Sequence, residues 1–257
     1  MVHNKFLNKL KDRHTAITDG VFAIAMTILV LEIAVPTTAD ITSGVLLKEY
    51  LINYLAPSIL IYVISFYLVY NFWENTVILF NIKKVNYSIL TLNMITMATV
   101  CLIPFATGFL FKFYNYTIVN ILFSLLILII SLLYILIFIL LIRHNFKDYY
   151  DKREEIKTAV HESYEDGIEF PTLKLYFKGI TLTLFYLLLA PAITSLISLA
   201  LAFVSPFASI LSFLLILILV FIIRIRRFGQ DKLEDANLSD DEKEFIADIQ
   251  ESIYGKE

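Results

Sequence analysis

Six long runs of apolar side chains leave this chain few folds to choose from. They cover about residues 17–35, 51–73, 88–111, 117–142, 179–204 and 206–225. Each is close to the roughly 17 to 25 residues that a helix needs to cross about 30 Å of hydrocarbon. In lipid every backbone N–H and C=O must be satisfied internally, so a spanning run folds as a helix or as a strand of a closed barrel. Barrel strands alternate polar and apolar positions over about ten residues, and these runs do not alternate. A content of 58% hydrophobic and 18% charged residues fits an integral membrane protein better than a soluble core. The expected fold is all-α, with six transmembrane helices.

An even number of spans puts both termini on one side of the bilayer. Nineteen of the 21 Lys and Arg residues fall in the N-terminal arm, the second and fourth connections and the tail, leaving Lys48 and Lys112 for the other side. Basic residues near helix ends are retained inside, so both termini are expected in the cytoplasm and the protein in the cell membrane. A basic start before an apolar run also fits a cleaved signal peptide. An acid within the run, and a basic count that needs this helix, argue for a retained span. The expected division is a membrane domain over 1–228 and an acidic cytoplasmic tail over 229–257. The last thirty residues hold ten acids against three lysines, which disfavours nucleic acid as a partner. The lipid bilayer is the expected one.

Proline punctuates the runs. Pro36 ends the first helix, Pro57 predicts a kink in the second, and Pro104 lies late in the third. The fourth run is almost wholly Leu, Ile and Phe, which predicts a lipid-facing helix. Residues 143–170 read as an amphipathic helix, with Ile156, Val160 and Tyr164 at a spacing of four. Val204 to Pro206 predicts a tight hairpin between helices five and six. In the tail, Ser239 and Glu242 fit a capping box.

No catalytic constellation accompanies this frame. His3, His14, His144 and His161 fall in expected cytoplasmic segments without metal-ligand spacing. The pair Glu154 and Glu155 sits on a mixed-charge helix and reads as a solvated face. Cys101, the single cysteine, allows no intrachain disulfide. The chain therefore reads as no enzyme, with no metal or cofactor.

Polar residues on the first helix carry more information, because ionisable groups within spans are normally functional. Asp19 lies near its start and Glu32 near its end. At about 100° per residue, Gly20, Ile24, Thr27 and Leu31 share one stripe, and Asp19 points about 140° away from Ile24. Arg13 and Asp19 are out of helical register with each other, so partners must come from neighbouring helices. Trp73, Thr76 and Asn93 are candidates at matching depth, although Trp73 also suits an interfacial anchor and Asn93 a helix-packing contact. The stripe has two readings. Spacing alone favours a packing seam. The alternative is a pore wall shared by several subunits, narrowed at Ile24 and Leu31, with Thr27 hydroxyls between them.

The segment Arg13-x-x-x-Ile17-Thr18-Asp19-Gly20 resembles the Arg-x-x-x-Phe-Ser-Asp signature that opens the first helix of the transmembrane protein 175 family of potassium channels. Ser65-Phe66 with Trp73, and Asn93 with Pro104-Phe105, are similar to that family's second and third helices. The resemblance implies a homotetrameric potassium channel of the six-helix prokaryotic type, with potassium favoured over sodium. It implies a pore lined by Ile24, Thr27 and Leu31. It also implies a buried network of Arg13, Ile17, Thr18, Asp19, Trp73 and Asn93 that fixes the first helix. Ile17, Thr18 and Thr76 stand where the family has Phe, Ser and usually His. No TVGYG-like filter segment occurs. Two further classes fit the sequence: a proton-coupled small-solute transporter using Asp19 or Glu32, and a non-conducting scaffold acting through its tail.

Overall fold

The computed structural model describes residues 2–33, 44–80, 86–163, 171–223 and 225. Within these, six helices are long and apolar enough to cross a membrane: Leu10–Leu31, Leu46–Phe80, Tyr87–Phe113, Thr117–Arg143, Phe185–Ala202 and Pro206–Ile223. The described residues contain helices and turns and no strand.

Helix α1 runs over Val2–Leu31. The basic arm is thus helical and continuous with the first span. Helix α2, Gly44–Tyr50, leads into a π-helical turn at Leu51–Leu55 and then into α3, Ala56–Phe80. Pro57 explains the wide turn. It has no N–H, and its ring excludes the carbonyl four residues back. The chain adapts by lengthening the register, so the Ala56 N–H reaches the Leu51 carbonyl. Helix α3 continues seven residues beyond Trp73, which therefore lies within the helix and not at its end.

The third span is two helices, α4 at Tyr87–Val100 and α5 at Leu102–Phe113. Asn86 caps α4, its side chain accepting from the Ile89 N–H at 2.9 Å. The break at Cys101 follows from Pro104, which cannot donate to the Val100 carbonyl. Before the break the Cys101 N–H still makes the ordinary α-helical bond to the Met97 carbonyl, at 3.0 Å.

Helix α6, Thr117–Ser163, has 47 residues and is about 70 Å long at 1.5 Å per residue. The expected amphipathic segment is thus its direct extension as far as Ser163, while Tyr164 lies outside the described residues. Helix α6 meets the lipid-facing expectation on one face only. It packs against α3, α4 and α5. On its other sides lie α7, Pro171–Ala202, and α8, Pro206–Ser212. One face of α6 buries Phe123, Ile127, Ile130, Tyr134, Ile137, Phe138 and Leu141. The opposite face exposes Ile118, Leu122, Ile129, Leu132 and Leu136. Hydropathy could not separate the faces, because both are equally apolar.

The hairpin between α7 and α8 is as tight as expected. Ser205 is extended and accepts from the Ala208 N–H at 3.4 Å, with Pro206 at the first helical position. Below it, hydroxyls join three helices. Ser198 Oγ lies 2.8 Å from both Ser124 Oγ and Ser209 Oγ. Hydroxyls of this kind are how membrane helices approach one another without a hydrophobic driving force. The capping box at Ser239 and Glu242, and the rest of 229–257, lie outside the described residues.

Candidate functional site: two faces of the first helix

Helix α1 packs on α3, α4 and α5. The residues it buries there are His14, Thr18, Phe22, Ala25 and Leu29, at spacings of three and four. The predicted stripe lies on the other side. Ile24 is 60% and Leu31 79% exposed, Gly20 and Thr27 are exposed, and a side chain at Gly20 would meet nothing within 4 Å. Ile17 continues this face by a further turn and is 61% exposed. Among the described residues the stripe is therefore not a seam within this chain. Thr27 Oγ donates to the Ile24 carbonyl at 2.9 Å. Its proton is thereby tied to its own helix, while its oxygen stays on the exposed face.

The polar residues expected to hold α1 divide into three nodes. In the first, the Trp73 indole N–H donates to Asp19 Oδ1 at 2.9 Å. Of the three candidate partners, Trp73 is the one that reaches it, and Asp19 is exposed and not a buried anchor. Arg13 is exposed as well. Trp73→Phe removes the donor while Asp19 keeps access to solvent, so a loss of only about 0.6 kcal/mol is expected. Thermal unfolding in detergent measures it.

The second node is buried. Asn93, fully enclosed, places Nδ2 2.9 Å from His14 Nε2 and 3.5 Å from Thr18 Oγ1. An amide nitrogen can only donate, so in this orientation Nε2 accepts and the ring proton sits on Nδ1. The Thr18 hydroxyl donates to the His14 carbonyl at 2.9 Å. The ring also stacks on Phe80, with centroids 5.9 Å apart. Asn93 Oδ1 has no hydrogen-bond partner among the described residues. Sequence reading put His14 in a cytoplasmic segment, yet it lies inside the bundle. Its register with Thr18, one turn along, was the available signal.

The third node replaces the expected role of Thr76. The Thr76 hydroxyl donates to the Phe72 carbonyl at 3.0 Å. Its single proton is thus committed, and the Tyr134 hydroxyl, 2.6 Å away, must be the donor to it. Phe72 and Tyr134 also stack at 5.4 Å with an interplanar angle of 3°. Thr76→Val leaves a buried Tyr134 hydroxyl unpaired. We expect a loss of about 1–3 kcal/mol, read from the same thermal unfolding. Tyr134 lies far along the chain on an otherwise apolar helix, and no local pattern linked it to Thr76.

Among the described residues no cluster of His, Cys, Asp or Glu could hold a metal ion. The polar groups here are used in joining helices, and the exposed stripe carries only backbone-bonded hydroxyls and aliphatic groups.

A six-helix bundle whose first helix is latched by polar contacts, with its opposite face exposed among the described residues, defines the class: a multi-pass helical membrane protein. Residues 13–104 match the family described as the endosomal/lysosomal potassium channel TMEM175. A potassium channel from Chryseobacterium sp. (strain P1-3) is 39% identical over 98 residues, 38% of this chain and 47% of the relative. A potassium channel from Streptomyces collinus (strain DSM 40733 / Tue 365) is 33% identical over 102 residues, 39% of this chain and 48% of the relative. The chain thus spans about half the length of these curated relatives. The crystal structure of a lysosomal potassium-selective channel TMEM175 homolog from Chamaesiphon minutus shares the fold, with a TM-score of 0.58 and 23% identity. That match covers 84% of this chain and 98% of the other. The resemblance read from the Arg13 to Gly20 segment is borne out, and it is carried by the first three spans.

Proposed function

We propose that this protein is a passive potassium-selective cation channel, a homotetramer in which four copies of α1 surround a central pore. The observation that carries this reading is the exposed face of Gly20, Ile24, Thr27 and Leu31 on a helix whose opposite face is fully used in packing. Its support in kind is the match of residues 13–104 to a potassium channel family. In this reading Ile24 and Leu31 are hydrophobic constrictions that limit wetting, and Thr27 contributes a ring of hydroxyl oxygens between them. Asp19, Trp73, Thr18 and Asn93 set the position of α1 against its own bundle, while Arg13 and Ile17 lie exposed. Potassium is the permeant ion and no cofactor takes part. Residues 1–228 form the channel in the cell membrane and 229–257 an acidic tail, with both termini on the cytoplasmic side.

The test is reconstitution into liposomes under a potassium gradient, with the particle size measured in parallel. Potassium efflux that collapses the gradient without saturating, from a four-copy particle, is the expected result. A monomer, or the absence of flux, overturns the channel reading. Saturable pH-driven uptake lost in Asp19→Asn makes the protein a transporter instead.

A further inference from the structure

An ionisable ring inside the bundle still lacks a task. His14 is buried on the packing face of α1, and the fully enclosed Asn93 of α4 meets it at 2.9 Å. The amide of Asn93 has more polar capacity than this contact uses. Its nitrogen faces His14 Nε2 and Thr18 Oγ1, while its oxygen has no partner among the described residues. Turning the amide over exchanges the two atoms, so in either orientation one meets the ring and the other is unpaired. An unpaired buried polar atom costs free energy, and two apolar residues would join α1 to α4 without that cost. Ionisable groups within membrane spans are normally retained for function.

The contact depends on the charge of the ring. A neutral ring lets Nε2 accept from the Asn93 amide, and the Thr18 oxygen, whose proton goes to the His14 carbonyl, faces the same NH2 group. A proton taken from solution onto Nε2 turns that nitrogen into a donor. Asn93 must then present its oxygen, which removes its contact with Thr18 and leaves the NH2 group without an acceptor. The new charge also meets no counter-ion among the described residues. Of the helices packed on α1, α4 carries no acid or base except the exposed phenol of Tyr87, and α5 carries Lys112 alone, in its last turn. On α3, Glu74 lies six residues from Phe80, the ring that stacks on His14, and about 120° away around the helix. Tyr62, Tyr67 and Tyr70 are further still along α3. On α1 itself Lys11 is a like charge one turn before His14, Asp12 and Arg13 are exposed, and Asp19 is engaged by Trp73. A buried charge without a counter-ion is strongly unfavourable, so protonation favours an arrangement in which His14 reaches water.

We propose that His14 and Asn93 form a proton-operated latch between α1 and α4, closed while the imidazole is neutral and released when Nε2 takes up a proton. Histidine changes charge between about pH 5 and 8, so acid opens the latch within that range. The two states differ by one proton and by the direction of one amide, and such a local change is read out by the element it holds. Here that element is the whole of α1, because the Trp73 to Asp19 bond lies five residues further along the same helix. The latch does not depend on what α1 lines.

Trp73, the single tryptophan, reports on α1 through its bond to Asp19. Its fluorescence is followed in detergent from about pH 8 to about pH 5 for wild type, His14→Gln and Asn93→Asp, with thermal unfolding at both ends. His14→Gln keeps an acceptor for the Asn93 amide and does not titrate in this range. Asn93→Asp puts a carboxylate where a protonated ring needs an acceptor. Wild type is expected to show a reversible shift in emission, with its midpoint in the histidine range and a Tm several degrees lower in acid. His14→Gln is expected to lose that shift. Asn93→Asp is expected to reverse it and stay closed in acid, because the carboxylate pairs with the imidazolium. A shift of wild-type size in His14→Gln assigns the titration to another group, such as Asp19, and overturns the proposal. So does a wild type whose emission and Tm are flat across the range, or an Asn93→Asp chain that releases in acid as the wild type does. Elution as the wild-type particle shows that a variant is folded, and should His14→Gln not fold, the sign of the Asn93→Asp shift decides alone.

Discussion

Leu31→Ser and Ile24→Ser are expected to raise potassium flux by about tenfold each, with little change in stability. Both side chains are exposed on the same face of α1, at 79% and 60%, so truncation opens no cavity within the chain. Surface substitutions of this kind shift stability by about 0.5 kcal/mol or less. On a shared axis the same atoms behave differently. Four leucines at one level present a ring that water wets poorly, and an ion crossing it gives up part of its hydration. Exchanging them for hydroxyls lowers that barrier, and about 1.4 kcal/mol suffices for a tenfold rate. Liposome flux together with thermal unfolding separates a pore effect from a folding effect. Unchanged flux in both variants removes Ile24 and Leu31 from the pore, whatever the oligomeric state.

Phe72→Ala is expected to be the most destabilising single truncation among the residues discussed, at about 3–5 kcal/mol. Phe72 is fully buried on α3 and lies flat on Tyr134 of α6, and its carbonyl accepts the Thr76 hydroxyl. Truncation leaves a void beside the Tyr134 ring and removes a stacked aromatic pair, itself about 0.5–1.5 kcal/mol. Lipid tails do not enter a void between helices, so the lost dispersion contacts are not replaced. Thermal unfolding in detergent, compared with Thr76→Val, distinguishes the two contributions. A loss no larger than that of Thr76→Val would mean that the stack adds nothing beyond the hydroxyl pair.

Much of the architecture was legible in the residues. Span length and the prolines decided the helices. The kink expected at Pro57 is a π turn and the hairpin expected at Pro206 is present, whereas the break at Cys101 before Pro104 was not anticipated. The partner of Asp19 was readable only as one of three candidates, Trp73, Thr76 and Asn93, of which the Trp73 indole N–H proved to be the donor. His14 and Tyr134 were not readable as partners of Asn93 and Thr76. Their pairing depends on which helices adjoin, and periodicity along one helix carries no record of that. The central place of α6 was hidden for the same reason.

The first helix shows the division most clearly. The sequence by itself determined that α1 spans the membrane, that Asp19 needs a partner from another helix, and that Gly20, Ile24, Thr27 and Leu31 share a face. It did not determine which face meets the bundle. His14, Thr18, Phe22, Ala25 and Leu29 repeat at the same three-and-four spacing, and below Thr18 they are as apolar as the stripe. In water the more hydrophobic face would turn inward, but lipid tails are as apolar as leucine and exert no such preference. The choice fell to shape and hydrogen bonds. Asn93 engages His14 and Thr18, Trp73 engages Asp19, and Gly108 receives Glu32. Only the tertiary structure brings α3, α4 and α5 to those atoms, and by doing so it leaves Ile24, Thr27 and Leu31 facing outward.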